Sequence, residues 1–179
     1  MNYQQDELRR IYDTLTKDLV SILGKSKKLS QTKRRSFIRA LVSLIEFDTY
    51  NRKQRALQLH SSNIVHFNIA EMILLNEIQP EVDNKGEIKV KQKFIRLIDN
   101  YKFAIKLFCK ASQISFVLPT NSPGWVAFKD TIEMRNRISH PKNENDIIIT
   151  DHNFRTVLSA YEWFMNNYKM IIELLQNNS

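Results

Sequence analysis

The run Phe154-Arg155-Thr156-Val157-Leu158-Ser159-Ala160-Tyr161-Glu162-Trp163-Phe164-Met165-Asn166-Asn167-Tyr168-Lys169-Met170-Ile171-Ile172-Glu173-Leu174-Leu175 carries the strongest helical pattern in the chain. Phe154, Val157, Leu158, Tyr161, Phe164, Met165, Tyr168, Ile171, Ile172 and Leu175 recur at steps of three and four. At about 3.6 residues per turn this spacing gathers them on one face of a helix. An apolar helical face needs other elements to bury it, so the run predicts a helical bundle. Asp151 and Asn153 are its candidate N-caps.

The rest of the chain supplies helices for it to pack on. Tyr3, Leu8, Ile11, Tyr12, Leu15, Leu19, Ile22 and Leu23 predict an amphipathic helix over residues 3–23, with Gly24 suited to its C-terminal cap. Ser30 or Thr32 starts a second helix to about Leu59, with an inward stripe of Phe37, Leu41, Leu44 and Ile45. Asp48 continues that stripe, and a buried carboxylate there calls for a partner such as an arginine. A third helix is expected from Ile64 to Ile78. Pro80, Asp83, Asn84 and Gly86 make residues 79–89 a surface loop rather than a domain boundary. Phe94, Leu97, Ile98, Tyr101, Ala104, Ile105 and Phe108 predict a fourth helix from about Val90 to Ala111. Ser122-Pro123 pairs a capping hydroxyl with proline at the first helical position, opening a fifth helix that runs to about Ser139. Ile147-Ile148-Ile149 either pairs as a short strand with residues 114–118 or plugs the bundle. The expectation is an all-α bundle of five to six helices forming a single domain over residues 1–179.

Composition agrees with that architecture. Apolar residues make up 42%, enough for a core, while 3 Gly and 4 Pro are too few for an all-β fold rich in tight turns. Lys plus Arg number 27 against 19 Asp plus Glu, a net charge of +8 that favours a polyanionic partner, nucleic acid or an anionic membrane surface, over a role in solubility alone. Lys25, Lys27, Lys28, Lys33, Arg34, Arg35 and Arg39 concentrate that charge, as a solvated turn or as an anion-binding surface. Cys109 is the sole cysteine and lies in an apolar run, which reads as a small buried hydrophobe in a reducing compartment. The polar N-terminus does not resemble a signal peptide, and no apolar run approaches the ~20 residues that span a bilayer, so a cytoplasmic protein with no membrane role is expected. His60 and His66 lack further ligands at metal spacing, so no metal and no cofactor is expected.

The chemistry concentrates in Arg135-Asn136-Arg137-Ile138-Ser139-His140-Pro141-Lys142. On a straight helix Arg135 and His140 diverge by about 140°. Pro141 disfavours the helical conformation at His140, so the helix is expected to end there and free the imidazole. An arginine fork can hold two phosphate oxygens, an imidazole can take or give a proton at a ribose 2′-hydroxyl or a leaving 5′-oxygen, and Asn136 can orient either. The alternative is a plain helix C-terminus, with Arg137 and His140 bonding terminal carbonyls.

Arg135-Asn136-Arg137-Ile138-Ser139-His140 resembles the signature of the HEPN superfamily: Arg, a polar residue, a short gap, then His. The resemblance implies a small all-α bundle with the motif near the end of a late helix, followed by one more helix. It implies a metal-independent RNA endonuclease of toxin–antitoxin or phage-defence systems, leaving a 2′,3′-cyclic phosphate. It also implies a homodimer in which two arginines and two histidines share a cleft, and a possible antitoxin or other defence partner. Arg135, Asn136 and His140 become the catalytic candidates, and Arg137, Lys142 and Lys129 candidate RNA contacts. A non-catalytic RNA- or nucleotide-binding module, or an adaptor in a defence complex, is the alternative. Pro141-Lys142 stands where one subgroup carries a nucleotide-accepting Tyr, a departure that argues against that form of regulation. Trp125 and Trp163 are read as core or interface packing in preference to base stacking.

Overall fold

The apolar periodicities become helices in the computed structural model, which describes residues 3–24 and 29–178. These residues form α1 (Tyr3–Leu23), α2 (Gln31–Ser61), α3 (Ile69–Leu75), an antiparallel hairpin of β1 (Ile78–Val82) and β2 (Ile88–Gln92), α4 (Leu97–Ala111), α5 (Pro123–Ser139), a 3-10 turn (Glu144–Ile147) and α6 (Asp151–Asn177). The protein is predominantly helical, with one small sheet among the described residues. No helix among them is long and apolar enough to cross a membrane.

The chain divides into two units, residues 1–48 with 117–179, and residues 49–116. In the first, Leu19, Phe37, Ile38, Leu41, Leu44, Phe128, Val157 and Phe164 are fully buried, each such side chain contributing about 1.5–3 kcal/mol. Phe37 meets Phe154 and Tyr161 edge-on at 5.7 and 5.9 Å, and Tyr12 stacks on Tyr168 at 4.6 Å. Trp125, Phe128 and Trp163 form a second aromatic group, so both tryptophans serve the core. Gly124 makes this packing possible, because a Cβ there would lie 2.3 Å from Trp163 Cδ1. Ser122 Oγ accepts from Trp125 N–H at 3.3 Å, so α5 starts as its sequence predicts. For α6 the N-cap is Thr150 rather than Asp151 or Asn153: its Oγ1 accepts from Asn153 N–H, and Asn153 Oδ1 accepts back from Thr150 N–H. Asp48, at the unit's end, is buried as its place on the stripe predicts.

In the second unit Ala56, Phe67, Leu75, Leu107 and Ala111 form the core, flanked by Leu57, Leu59, Val65, Met72 and Phe103. Lys53 is buried and donates to Leu74 O at 3.0 Å, Glu77 Oε1 at 2.8 Å and Asn100 Oδ1 at 3.2 Å, tying α2, the end of α3 and α4 together. Cys109 is buried here, and burial pushes its thiol up in pKa despite Arg52.

Three segments of this unit differ from the sequence expectation. Helix α3 covers only Ile69–Leu75, because the backbone at residues 65–67 bonds the His60 ring instead and Asn68 caps a fresh start with Glu71. The segment read as a loop is a hairpin, turning through Asp83, whose Oδ1 accepts from Lys85 and Glu87 N–H, and Gly86 at φ +80°. The segment from Val90 is a strand and not the first turns of α4, which leaves Phe94 90% exposed instead of buried. Ile78, Pro80, Val82, Ile88 and Val90 alternate with polar residues at period two, and that pattern prevailed over the helical one.

Candidate functional site

Helix α5 carries Arg135, Asn136 and Arg137 on its last turn and ends at His140. The His140 N–H donates to Asn136 O at 3.0 Å, and its φ of −133° and ψ of 61° take it out of the helix, as the following proline demands. The imidazole is exposed.

Arg135 turns the other way. Its side chain is 26% exposed and pairs through Nη2 with Glu46 Oε1 of α2, while its Nε is buried without a hydrogen-bond partner. The unpaired donor is thus closed to solvent, and Glu46 holds one terminal nitrogen of the guanidinium. No hydrogen bond joins the side chains of Arg135, Asn136 and His140 within the chain.

Asn136 and Arg137 face a third direction. With Asp130 and Glu133 of α5, and His152 and Thr156 of α6, they line an open groove of about 560 Å³. Arg135 and His140 do not line it. Lys129 is half-buried, and Lys142 is exposed beyond the helix end. The six candidates thus spread around the C-terminal half of α5 and the residues just past it, and only Asn136 and Arg137 share a cavity.

Residues on both sides of His140 are pinned by α2. Arg39 Nη2 donates to Ile138 O at 3.3 Å, Arg35 Nη1 to Ile147 O at 2.9 Å, and Arg34 Nη1 to Ile149 O at 2.8 Å. Arg34 also pairs with Asp151 and bonds Leu29 O. The Gln31 amide donates to Ile149 O and accepts from Ile149 N–H, both at 2.9 Å, as a neighbouring strand would. Ile147–Ile149 thus joins no strand, and of the three only Ile149 is buried in the core as the plug reading expects, Ile147 and Ile148 being exposed. Three arginines of the basic cluster act as a clamp on backbone carbonyls, an outcome that neither sequence reading of the cluster anticipated. Lys25, Lys27 and Lys28 of that cluster lie outside the described residues.

Sequence reasoning missed Glu46, the arginine clamp and the α6 side of the groove. Glu46 and Arg135 are separated by 89 positions, and nothing in the local pattern of either points to the other. The clamp had a faint signal, since Arg34 falls among the apolar inward positions of α2. Among the described residues no group of three or more His, Cys, Asp or Glu is arranged to hold a metal ion.

No family model matches the chain, and no curated protein or solved structure matches it either. The fold and site therefore define the class only as a predominantly helical protein with a basic balance of charge.

Proposed function

We propose that the chain is a HEPN-type, metal-independent RNA endonuclease that acts as a homodimer in a toxin or phage-defence setting. The observation that carries the reading is the helix end at His140. It leaves an exposed imidazole five residues beyond an arginine whose side chain is partly exposed, at the end of a late helix followed by one more. In this reading the ribose 2′-oxygen attacks phosphorus and the bond to the 5′-oxygen breaks. One His140 takes the 2′-hydroxyl proton and a second, from the other copy, protonates the leaving 5′-oxygen. Arg135 stabilises the charge on the non-bridging oxygens, Asn136 orients the imidazole or phosphate, and the product is a 2′,3′-cyclic phosphate. Two copies remove the difficulty that Arg135 and His140 point apart within one chain. Arg137, Lys142 and Lys129 would extend the RNA contact.

Purified protein is expected to cleave RNA in the presence of a chelator, with His140→Ala or Arg135→Ala lowering the rate by at least about 100-fold. Wild type and both variants behaving alike would defeat the proposal. The second reading, a non-catalytic RNA- or nucleotide-binding module or adaptor, is favoured by the Glu46 pair on Arg135 and by a groove that excludes both Arg135 and His140. RNA binding that survives His140→Ala, without cleavage by any form, would select it.

A further inference from the structure

The hairpin of the second unit has two unlike faces. Its register sets Pro80 opposite Val90 and Val82 opposite Ile88 on one face, and Gln79 opposite Lys91 and Glu81 opposite Lys89 on the other. The polar face satisfies itself, Lys89 pairing with Asp83 at 2.8 Å and Lys91 with Glu81. The apolar face is open: Val82 is 72% exposed, Ile88 75% and Val90 60%. Phe94, two residues past Gln92 in the same alternation, is 90% exposed.

The edges of this ribbon are less inviting than its face. Asp83 N–H donates to Glu87 O and Lys93 N–H to Glu77 O, so the odd-numbered residues make the ladder bonds and the even-numbered ones point their backbone groups outward. Pro80 removes the outward donor at the centre of β1, and Lys89 and Lys91 line β2 with Lys93 just past it, both of which discourage strand addition.

We propose that the face of Pro80, Val82, Ile88, Val90 and Phe94 packs against the same face of a second copy of this chain. These side chains expose on the order of 500 Å², the size of patch that marks an interaction site. Two copies face to face remove about 1,000 Å² in total, the lower bound for a specific interface, so the association is concentration-dependent. A face without charge is complementary to itself across a two-fold axis and offers nothing to select a charged partner. An anionic membrane fits less well, because the lysines Lys89 and Lys91 behind this face are already neutralised by Asp83 and Glu81. The inference does not depend on the nuclease reading.

Sedimentation velocity from low to high micromolar protein tests it. Wild type should pass reversibly to a species of twice the mass, and Ile88→Glu with Val90→Glu should weaken that step by about tenfold or more. Phe94→Ser, which alters a side chain exposed throughout, should weaken it without changing the thermal melt. An unchanging mass for wild type would overturn the proposal. So would a concentration-dependent doubling that the hairpin variants leave unchanged; a dimer held through α5, as the nuclease reading requires, is told apart because it stays in wild type and hairpin variants alike while only the further doubling is lost. Vesicle binding lost in these variants, without self-association in wild type, would overturn it too.

Discussion

Arg135 is the residue whose surroundings matter most for any phosphate chemistry. Glu46 occupies one terminal nitrogen of its fork, and a phosphate must displace or share that carboxylate. Both partners are partly exposed, and such pairs contribute only about 0–1 kcal/mol. Under the proposed nuclease reading, Glu46→Gln should therefore raise RNA affinity by no more than about fivefold, read by filter binding at fixed salt. A fall in affinity would mean instead that the carboxylate holds the guanidinium in its binding pose. His140 was legible from Pro141 alone, because the steric conflict of a pre-proline residue is local. The Glu46 contact was not legible, because it depends on how α2 lies along α5.

At the scale of elements, α1, α2, α5 and α6 follow the periodicities closely, and α5 begins at the Ser122-Pro123 signal. The hairpin was hidden because residues 88–98 satisfy two periods at once. Val90, Phe94, Leu97 and Ile98 fit a helix, whereas Ile88, Val90 and Phe94 also fit a strand, and pairing with Ile78–Val82 decided the matter. Gly124 shows how tightly α5 meets α6. Gly124→Ala must push the Trp163 ring aside, and should cost about 1–3 kcal/mol, lowering the thermal midpoint by several degrees. A melt unchanged from wild type would mean that the tryptophan shifts freely.

At the scale of the whole molecule, the Lys53–Glu77 pair, a buried lysine with a partly exposed carboxylate, contributes to the response to pH. Burial pushes the Lys53 ammonium down in pKa, against the hydrogen bond and charge of Glu77. For Glu77 burial pushes upward, but hydrogen bonds from Lys53 and Asn100 and the Lys53 charge prevail and hold the carboxyl below its ordinary value. A carboxylate depressed by folding stabilises the native state fully above its unfolded value, about 4.3, and loses that contribution as pH falls through the folded value. The lysine works in the opposite sense: its lowered value is a cost near neutrality, relieved as pH rises towards about 10.4. Thermal unfolding should thus show a midpoint that drops below about pH 4, with a shallower drop in Lys53→Met. At neutral pH that variant should be less stable by about 1–2 kcal/mol, since Leu74 O and Asn100 Oδ1 lose a donor while Glu77 keeps its bond from Asn100 and part of its solvent. An acid slope identical in both proteins would assign the loss to other carboxylates.

By itself the sequence determined the helical class, the ends of α5, the inward turn of Asp48 and the break that exposes His140. Each follows from interactions within a turn or two of chain, where periodicity, capping and proline sterics operate. Only the tertiary structure decided that Arg34 and Arg35 clamp the segment after His140 and Arg39 the last turn of α5 before it, that Glu46 pairs with Arg135, and that Asn136 and Arg137 share a groove with α6. Those outcomes depend on which helix faces meet, and no local pattern encodes a contact between residues on different elements, whether they are 15 positions apart across the groove or 89 to 115 apart in the ion pair and the clamp.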